Sequence, residues 1–396
     1  MQINFRSTSL VLGTLMMFFS LSDPLDKLFG MKVPSFILFF ITATAYIITK
    51  NKRNKIPSEL VNFLFLFSIL IPILSTFFSI IINTGETDFN YIKAYIFLLL
   101  TIIFYYTKEL NFLNIFIVLL NILALLNLVI FLIIIFNPNT IPILYLFGET
   151  YTIFSMPTKY IGSFNYDAIY FHITPLFVVL LGYNLYKYFT NPKQKYLILL
   201  LINISALFIC GSRNNIFSTV LMLFTFYFVF VKKKGIGYLL MISLIMILFW
   251  NLPDILEIFN ETKQDSDATK YEFAYEYFKL FSDPHILYLG QGIGSYFQTS
   301  SRGLVSITEL TYFEIFRRLG LFLGSLQIIL MFYPLSFWNK IQFDQRWIIL
   351  SYTFYLIMSF FNPFYFNSSG MLLLSFVLVS KYNIPNTFIV VKDRNY

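Results

Sequence analysis

The chain has 396 residues, of which 58% are hydrophobic and 12% are charged, and its formal net charge is +8. The charged share is about half that of an ordinary soluble domain, which excludes a soluble fold because too little polar surface remains to cover a core. One cysteine and two histidines exclude an intrachain disulfide and a metal centre built on cysteine or histidine ligands. We therefore expect a membrane protein with no metal and no cofactor.

Apolar stretches long enough to cross a membrane recur along the whole chain. A helix needs roughly 20 mostly apolar residues to cross about 30 Å of hydrocarbon. The candidate spans are 7–22, 34–49, 59–82, 91–106, 112–136, 167–186, 196–210, 215–231, 236–250, 308–333, 347–362 and 368–381. We therefore expect residues 1–396 to form one all-α integral membrane domain, a polytopic helical bundle of about 12 transmembrane helices.

The distribution of charge predicts which way this bundle is inserted. One alternate set of loops carries 17 of the 28 basic residues and only four of the 20 acidic residues. Cytoplasmic loops are enriched in Lys and Arg, so both termini are expected in the cytoplasm. The net positive charge then reflects the orientation of the protein in the membrane. We therefore expect membrane lipid rather than nucleic acid as a partner.

Two long loops are predicted on the opposite face, at 137–166 and 251–307. The second contains an amphipathic pattern over 270–281, which places Phe273, Tyr277 and either Phe278 or Phe281 on one helical face. A short helix lying at the membrane surface fits this pattern. The GQGIG segment that follows at 290–294 lacks a flanking strand and a following Lys-Ser/Thr pair, which argues against a nucleotide site.

Arg213, in the sequence CGSRNN, is the clearest candidate for chemistry because it falls in a tight outer turn between two spans. It is either an arginine whose head group snorkels to the interface or an anion clamp, since guanidinium binds phosphate in a bidentate way. Asn214, Asn215 and the start of the next helix would add hydrogen-bond donors.

A second group of ionisable residues lies at the outer end of the span 308–333. Glu314 is three and four residues from Arg317 and Arg318, so these side chains can pair on one helix face, as a structural ion pair or as part of a site. Glu309 has no basic residue within one helical turn. A carboxylate beside an apolar membrane edge has a raised proton affinity, which suits a general base.

The remaining candidates lie in or beside the long loops. Lysines in exposed loops are usually only solvated, and a lone histidine near the start of a span is more often a packing residue than a catalyst. These candidates are Lys159, Asn165, Asp167, His172, Lys270 and Arg302.

The order of these motifs resembles the O-antigen ligase and O-antigen polymerase superfamily. A GSFNYD segment enters a span, a GSRN turn joins two spans, and a large outer loop carries a charged residue before an aromatic helix, then LGQGIGSY and ELTYFEIFRRLGLFLG. The resemblance covers roughly 155–330. It implies a fold similar to the membrane-embedded, lipid-sugar glycosyltransferase (GT-C-like) class in the bacterial inner membrane, with the active face in the periplasm.

Members of that superfamily move glycans carried on undecaprenyl pyrophosphate and need no nucleotide sugar, metal or other cofactor. The resemblance implies that Arg213 helps to hold the pyrophosphate. Lys159 occupies a basic position ahead of the Gly-x-Phe segment, and Lys270 stands where many members have arginine. Arg302, Arg317 and Arg318 are further candidates for pyrophosphate binding. A chain-length regulator and a flippase are implied as partners.

Residue 309 separates the branches of the superfamily. Ligases typically carry a His-Asn pair eleven residues ahead of a glycine, whereas this chain has Glu309 and Leu310 ahead of Gly320. An acidic residue there is more typical of the polymerases, which join lipid-linked oligosaccharide repeat units into long-chain O-antigen of lipopolysaccharide. An O-antigen ligase, a lipid-linked oligosaccharide flippase and a capsule or exopolysaccharide polymerase stay open as alternatives, and the sequence does not identify the sugar or the linkage.

Overall fold

The computed structural model describes residues 4–50, 55–82, 90–161, 164–231, 264–305, 308, 310–361 and 366–382. Within this part of the chain, five helices are long and apolar enough to cross a membrane: Phe5–Ser22, Lys32–Thr49, Ser58–Ile80, Lys108–Phe136 and Thr311–Phe337. Shorter apolar helices accompany them at Ile92–Tyr106, Gln194–Ile209 and Ser368–Ser380. The helical class and the membrane character predicted from composition are therefore confirmed.

The described residues of the first part of the chain are mostly helical. Its helices are α1 (Phe5–Ser22), α2 (Lys32–Thr49), α3 (Ser58–Leu64), which continues through a π-helical stretch (Phe65–Leu70) into α4 (Ile71–Ile82), then α5 (Asn90–Phe97), α6 (Leu100–Tyr106), α7 (Phe112–Phe136) and α8 (Ile141–Tyr151).

Two nested strand pairs follow α8. Strand β1 (Phe154–Ser155) pairs with β4 (Tyr170–Phe171), and β2 (Thr158–Ile161) pairs with β3 (Phe164–Asp167), all antiparallel. The span predicted at 167–186 is therefore wrong over its first part, because its helix begins only at Phe177. The backbone of this part is hydrogen-bonded to a partner strand, which local hydropathy cannot reveal.

The second part returns to helices, interrupted by one more hairpin. Its elements are α9 (Phe177–Thr190), α10 (Gln194–Ile209), α11 (Arg213–Phe230), α12 (Gln264–Leu280), α13 (Pro284–Leu289), β5 (Phe297–Thr299), β6 (Gly303–Val305), α14 (Thr311–Phe332), α15 (Arg346–Met358) and α16 (Ser368–Ser380). The span predicted at 236–250 lies outside the described residues.

Large apolar side chains face outward as well as inward. Ile48, Ile80 and Phe136 are 72%, 72% and 82% exposed, on helices α2, α4 and α7. By contrast, every residue of α16 is buried, so this helix lies in the interior of the bundle. An apolar exterior around a packed interior is what a bilayer requires, because lipid covers the outward side chains.

Two lysine–glutamate ion pairs lie at the end of the bundle opposite the start of α14. Lys50 pairs with Glu109, and Lys381 pairs with Glu59. These contacts join the end of α2 to the turn before α7, and the end of α16 to the start of α3. The paired lysines belong to the loops that the charge pattern assigns to the cytoplasm, so these loops share one end. The hairpins and the starts of α11 and α14 lie at the other, which we call the loop end.

Candidate functional site

A sharp turn at the loop end joins α10 to α11. Gly211 adopts a left-handed conformation (φ +63°), which glycine tolerates because it has no Cβ. Ser212 is extended and Arg213 is the first residue of the 18-residue helix α11. The unpaired N–H groups of a helix start carry a partial positive charge. Arg213, which is half-buried, therefore adds its full charge to a position already suited to an anion.

The β2–β3 hairpin lies against this turn. Lys159 and Tyr166 are cross-strand partners. A Cβ on Gly211 would lie 2.7 Å from Lys159 Cγ and 3.0 Å from Tyr166 Oη, so both side chains contact the glycine. The structure thus brings the predicted candidates Lys159 and Arg213 to one turn, and it adds Tyr166, which sequence reasoning missed. Burial and the neighbouring Cys210 raise the pKa of Tyr166, which therefore keeps its proton and can donate it in a hydrogen bond.

Two other predicted candidates belong to the hairpin itself. The Thr158 hydroxyl donates to Asp167 Oδ1 at 2.9 Å across the strands, so Asp167 helps to hold the hairpin together. Asn165 is paired in register with Tyr160. His172 is half-buried just after β4, where its backbone N–H donates to the Ile153 carbonyl at 3.2 Å.

The last turn of α15 connects the α11 turn with the start of α14. Asn214 Nδ2 donates to the Met358 carbonyl at 3.0 Å, and the Tyr312 hydroxyl donates to the Leu356 carbonyl at 3.4 Å. Helix α14 therefore begins next to the same helix end that Asn214 touches. Glu309 itself lies outside the described residues, between the buried Thr308 and Leu310.

The predicted pairing of Glu314 with Arg317 or Arg318 is confirmed, and Glu314 pairs with both arginines. Glu314 Oε1 accepts from Arg317 Nη2 at 2.5 Å and from Arg318 Nε at 2.6 Å. All three side chains are nearly inaccessible, at 1%, 0% and 5% exposed. One carboxylate thus pairs with two guanidinium groups in an apolar setting, where an unpaired charge would be strongly unfavourable.

Arg317 uses its whole hydrogen-bonding capacity within the protein. Its Nε donates to Glu314, its Nη1 to Gln291 Oε1 and Ser295 Oγ, and its Nη2 to the Ser295 carbonyl and Glu314. A guanidinium has five N–H donors, and these bonds account for all of them. The prediction that Arg317 binds pyrophosphate is therefore not supported by the geometry. Arg318, 5% exposed and bound to the same carboxylate, belongs to the same buried cluster.

The GQGIG segment has a structural role at a break in α14. Gly320 is non-helical (φ 68°, ψ −177°), which frees carbonyl groups one turn earlier. Gln291 N–H donates to the Arg317 carbonyl at 2.7 Å, and Gly292 N–H donates to the Arg318 carbonyl at 2.9 Å. Irregular backbone at membrane depth is tolerated where other protein groups supply such bonds.

Lys270 and Arg302 belong to the segment outside the spans. Lys270 is half-buried on α12, and Arg302 lies in the β5–β6 turn with its guanidinium carbon 5.3 Å from the ring centre of Phe273. The two basic groups are thus placed with the aromatic helix, and Lys159 is placed with Arg213.

These features define an all-α membrane protein whose loop end gathers hairpins, a broken helix and a basic turn. Among the described residues, no group of three or more His, Cys, Asp and Glu side chains is arranged to hold a metal ion. Comparison of the chain with protein-family models, with curated proteins and with solved structures gives no match.

Proposed function

We propose that this chain is a glycosyltransferase of the bacterial inner membrane that polymerises undecaprenyl-pyrophosphate-linked oligosaccharide repeat units on its periplasmic face. The observation that carries the proposal is the arrangement at Gly211. There Lys159, Tyr166 and the Arg213 helix start converge on one turn at the loop end of a membrane bundle.

The donor in such a reaction is a glycan whose anomeric carbon is bonded to a lipid pyrophosphate. Negative charge develops on the pyrophosphate oxygen as this bond breaks, so positioned cations and N–H donors lower the barrier. In the proposed site, Arg213 supplies a bidentate fork, Lys159 supplies a point charge, and the start of α11 supplies backbone N–H groups. The Tyr166 hydroxyl would donate a hydrogen bond to a phosphate oxygen.

The acceptor is a sugar hydroxyl of a single lipid-linked repeat unit. Its oxygen attacks the anomeric carbon with inversion, the bond from that carbon to the pyrophosphate oxygen breaks, and undecaprenyl pyrophosphate leaves with the bonding electrons. The hydroxyl proton passes to a carboxylate, for which Glu309 is our candidate. Its neighbours in the sequence, Thr308 and Leu310, are buried just ahead of α14 at the loop end of the bundle.

The lipid tail fits the remainder of the architecture. Apolar side chains cover the outside of the spans, so a polyprenyl chain can remain in the membrane while its pyrophosphate reaches the loop end. The buried cluster of Glu314, Arg317 and Arg318 does not take part in this scheme as a phosphate site. We assign it the role of holding α12 and Thr308, through Tyr277, against the first turn of α14.

The experiment is a gel of surface polysaccharide from a strain lacking the gene, complemented with the unaltered gene or with Arg213→Ala, Glu309→Ala or Lys193→Ala. Lys193 is exposed at the opposite end of the bundle and serves as the control. We expect a long ladder with the unaltered gene and Lys193→Ala, and core plus a single repeat with the other two variants. Immunoblots of membranes check that each variant is inserted.

Other outcomes point to the alternatives. Complete loss of repeats from the core in the deletion strain would indicate a ligase or a flippase, and the side of the membrane on which lipid-linked sugar accumulates would distinguish these two. Long ladders with both Arg213→Ala and Glu309→Ala, in inserted protein, would refute the proposed site. Loss of capsule with unchanged lipopolysaccharide would assign the polymer to capsule.

A further inference from the structure

Helix α12 has two aromatic faces, and only one is covered by protein. Phe273 and Tyr277 are fully buried against Phe297 and Leu310. Both residues belong to the apolar face that the sequence predicts for this helix, and here that face packs on protein.

The other aromatic face of α12 is outward. Tyr271, Tyr275 and Phe278 are 79%, 69% and 64% exposed. Their spacing of four and three residues places them along one stripe of the helix, which we call the aromatic stripe. Three large aromatic side chains at this exposure form an apolar patch, which in a soluble setting would be unfavourable.

The position of α12 relative to the spans indicates what covers this stripe. Phe278 contacts Phe313 edge-to-face at 5.8 Å, and Tyr277 stacks on Phe313 at 5.7 Å. Phe313 lies in the first turn of a helix long and apolar enough to cross the membrane. The stripe thus lies beside the first turn of a helix that is long and apolar enough to cross a membrane.

The polar residues of α12 flank the stripe on one side. Glu272, Glu276 and Lys279 lie along one face of the helix, next to the stripe. Glu276 and Lys279 line a cavity of about 570 Å³ together with Gln298. The helix therefore separates three surroundings: protein for Phe273 and Tyr277, an open polar cavity for Glu276 and Lys279, and a third for the aromatic stripe.

We propose that the aromatic stripe of α12 binds the bilayer surface, with Tyr271, Tyr275 and Phe278 inserted among the phospholipid headgroups and upper acyl chains. Tyrosine is enriched at this depth because its ring is apolar and its hydroxyl remains hydrated. An interfacial helix buries its apolar face by roughly 5–10 Å in this layer. The helix then lies in the membrane plane and anchors the segment 264–305 to the surface.

This anchoring has a consequence that rests on the proposed function. The Tyr277 hydroxyl contacts Thr308, the residue before Glu309, at 2.5 Å. A helix held at headgroup level therefore holds Thr308 near the depth at which the pyrophosphate of a membrane-embedded lipid lies. The anchoring itself requires no catalytic activity and can be tested separately.

Nitroxide labelling of single cysteines tests the proposal directly. Cys210 is the chain's only cysteine and is buried, so Cys210→Ala gives a cysteine-free background. The full chain carries Tyr271→Cys, Tyr275→Cys or Phe278→Cys, with Gln298→Cys and Ser282→Cys as exposed controls away from the stripe. Each labelled protein is reconstituted in phosphatidylcholine and phosphatidylglycerol vesicles.

Power saturation then compares collision of each label with oxygen, which concentrates in the bilayer, and with a water-soluble nickel chelate. We expect a higher oxygen-to-nickel ratio at the three stripe positions than at both controls. A ratio equal to that of the controls would overturn the proposal, because the stripe would then face water. Low collision with both reagents would also overturn it, because protein or a second copy would cover the stripe.

A second measurement tests the anchoring without labels, in case a labelled variant does not insert into the vesicles. Unlabelled Tyr275→Asp places a carboxylate at the centre of the stripe. It is compared with Gln298→Asp, which places a carboxylate on the cavity side. Trypsin cleavage at Lys270 and Lys279 in intact vesicles should accelerate with Tyr275→Asp and remain unchanged with Gln298→Asp. Equal cleavage in both variants would contradict the anchoring.

Discussion

The phenol of Tyr277 donates a hydrogen bond to Glu314 Oε2 at 2.5 Å, and this bond joins helix α12 to the first turn of the span α14. Thr308 Oγ1 lies 2.5 Å from the same phenol oxygen. Because the phenol has a single proton, which is directed at Glu314, the Thr308 hydroxyl acts as the donor to Tyr277. Burial and the Glu314 carboxylate raise the pKa of Tyr277, so this direction of donation is fixed.

Replacing Tyr277 with phenylalanine should destabilise the attachment of α12. The substitution removes a bond to a buried carboxylate, which contributes about 1.5–3 kcal/mol, while the ring contacts remain. Thermal unfolding in detergent should show a lower midpoint for Tyr277→Phe and little change for Tyr275→Phe, whose hydroxyl lies on the exposed face. Equal midpoints for the two variants would mean that the bond contributes nothing.

Arg317 should not tolerate lysine although the charge is kept. An ammonium group has three donors and no planar fork, so at least two of the acceptors around Arg317 would lose their bonds. Leaving a buried acceptor without its donor costs about 1–3 kcal/mol, and we expect Arg317→Lys to lower insertion or the unfolding midpoint strongly. Arg302→Lys, in an exposed turn, should leave both unchanged. Full stability of Arg317→Lys would contradict the structural role.

The local part of this cluster could be predicted from the sequence, and the remote part could not. Glu314, Arg317 and Arg318 are one helical turn apart, so their pairing follows from helix geometry alone. Tyr277 and Gln291 come from segments 37 and 26 residues away along the chain, and nothing in their local pattern specifies this meeting. The decision between phosphate binding and a structural ion pair depended on these remote acceptors.

Gly320 and Gly303 offer a matched test of the helix break, because both have φ +68°. A Cβ on Gly303 would meet nothing within 4 Å, so Gly303→Ala should cost only the left-handed strain of about 1–2 kcal/mol. A Cβ on Gly320 would lie 2.2 Å from the Tyr288 carbonyl oxygen, and backbone must move to admit it. Unfolding midpoints should therefore fall much further for Gly320→Ala. Equal losses would show that the GQGIG segment is not held against the break.

The hairpin and the aromatic helix show where sequence reasoning reached its limit. Ile161 and Phe164 pair across β2 and β3, so two residues, Gly162 and Ser163 in the sequence, separate the strands. That dipeptide between apolar runs is a hairpin signal that could have been used. For α12 no such signal existed, because a helix with aromatic residues on two faces does not indicate which one packs on protein.

His172 should make stability dependent on pH. Burial lowers its folded-state pKa below the ordinary value of about 6.5, so the unfolded chain binds the proton more readily. The contribution of neutral His172 to the free energy of unfolding is therefore fully present above about pH 6.5 and is lost as the pH falls through the lowered folded-state pKa. Histidine titrates between about pH 5 and pH 8, so unfolding midpoints are measured over this range. They should vary less with pH in His172→Gln than in the unaltered protein. His285→Gln, at an exposed position, is the control. An unchanged pH slope in His172→Gln would refute the assignment.

Lys159 should be required for the reaction and dispensable for the fold. Lys159→Met keeps an unbranched chain against Gly211 but removes the charge, so the unfolding midpoint should change little. If Lys159 stabilises a developing pyrophosphate charge, the turnover rate should fall by about 10²-fold, with a smaller rise in KM. The measurement is the initial rate of polymer formation from purified lipid-linked repeat units in vesicles, with Lys193→Met as the control. Tyr166→Phe should lower the rate less, because it removes one neutral donor. Normal rates for Lys159→Met would place the pyrophosphate elsewhere than at the Gly211 turn, and Lys270 and Arg302 would then be the next residues to replace.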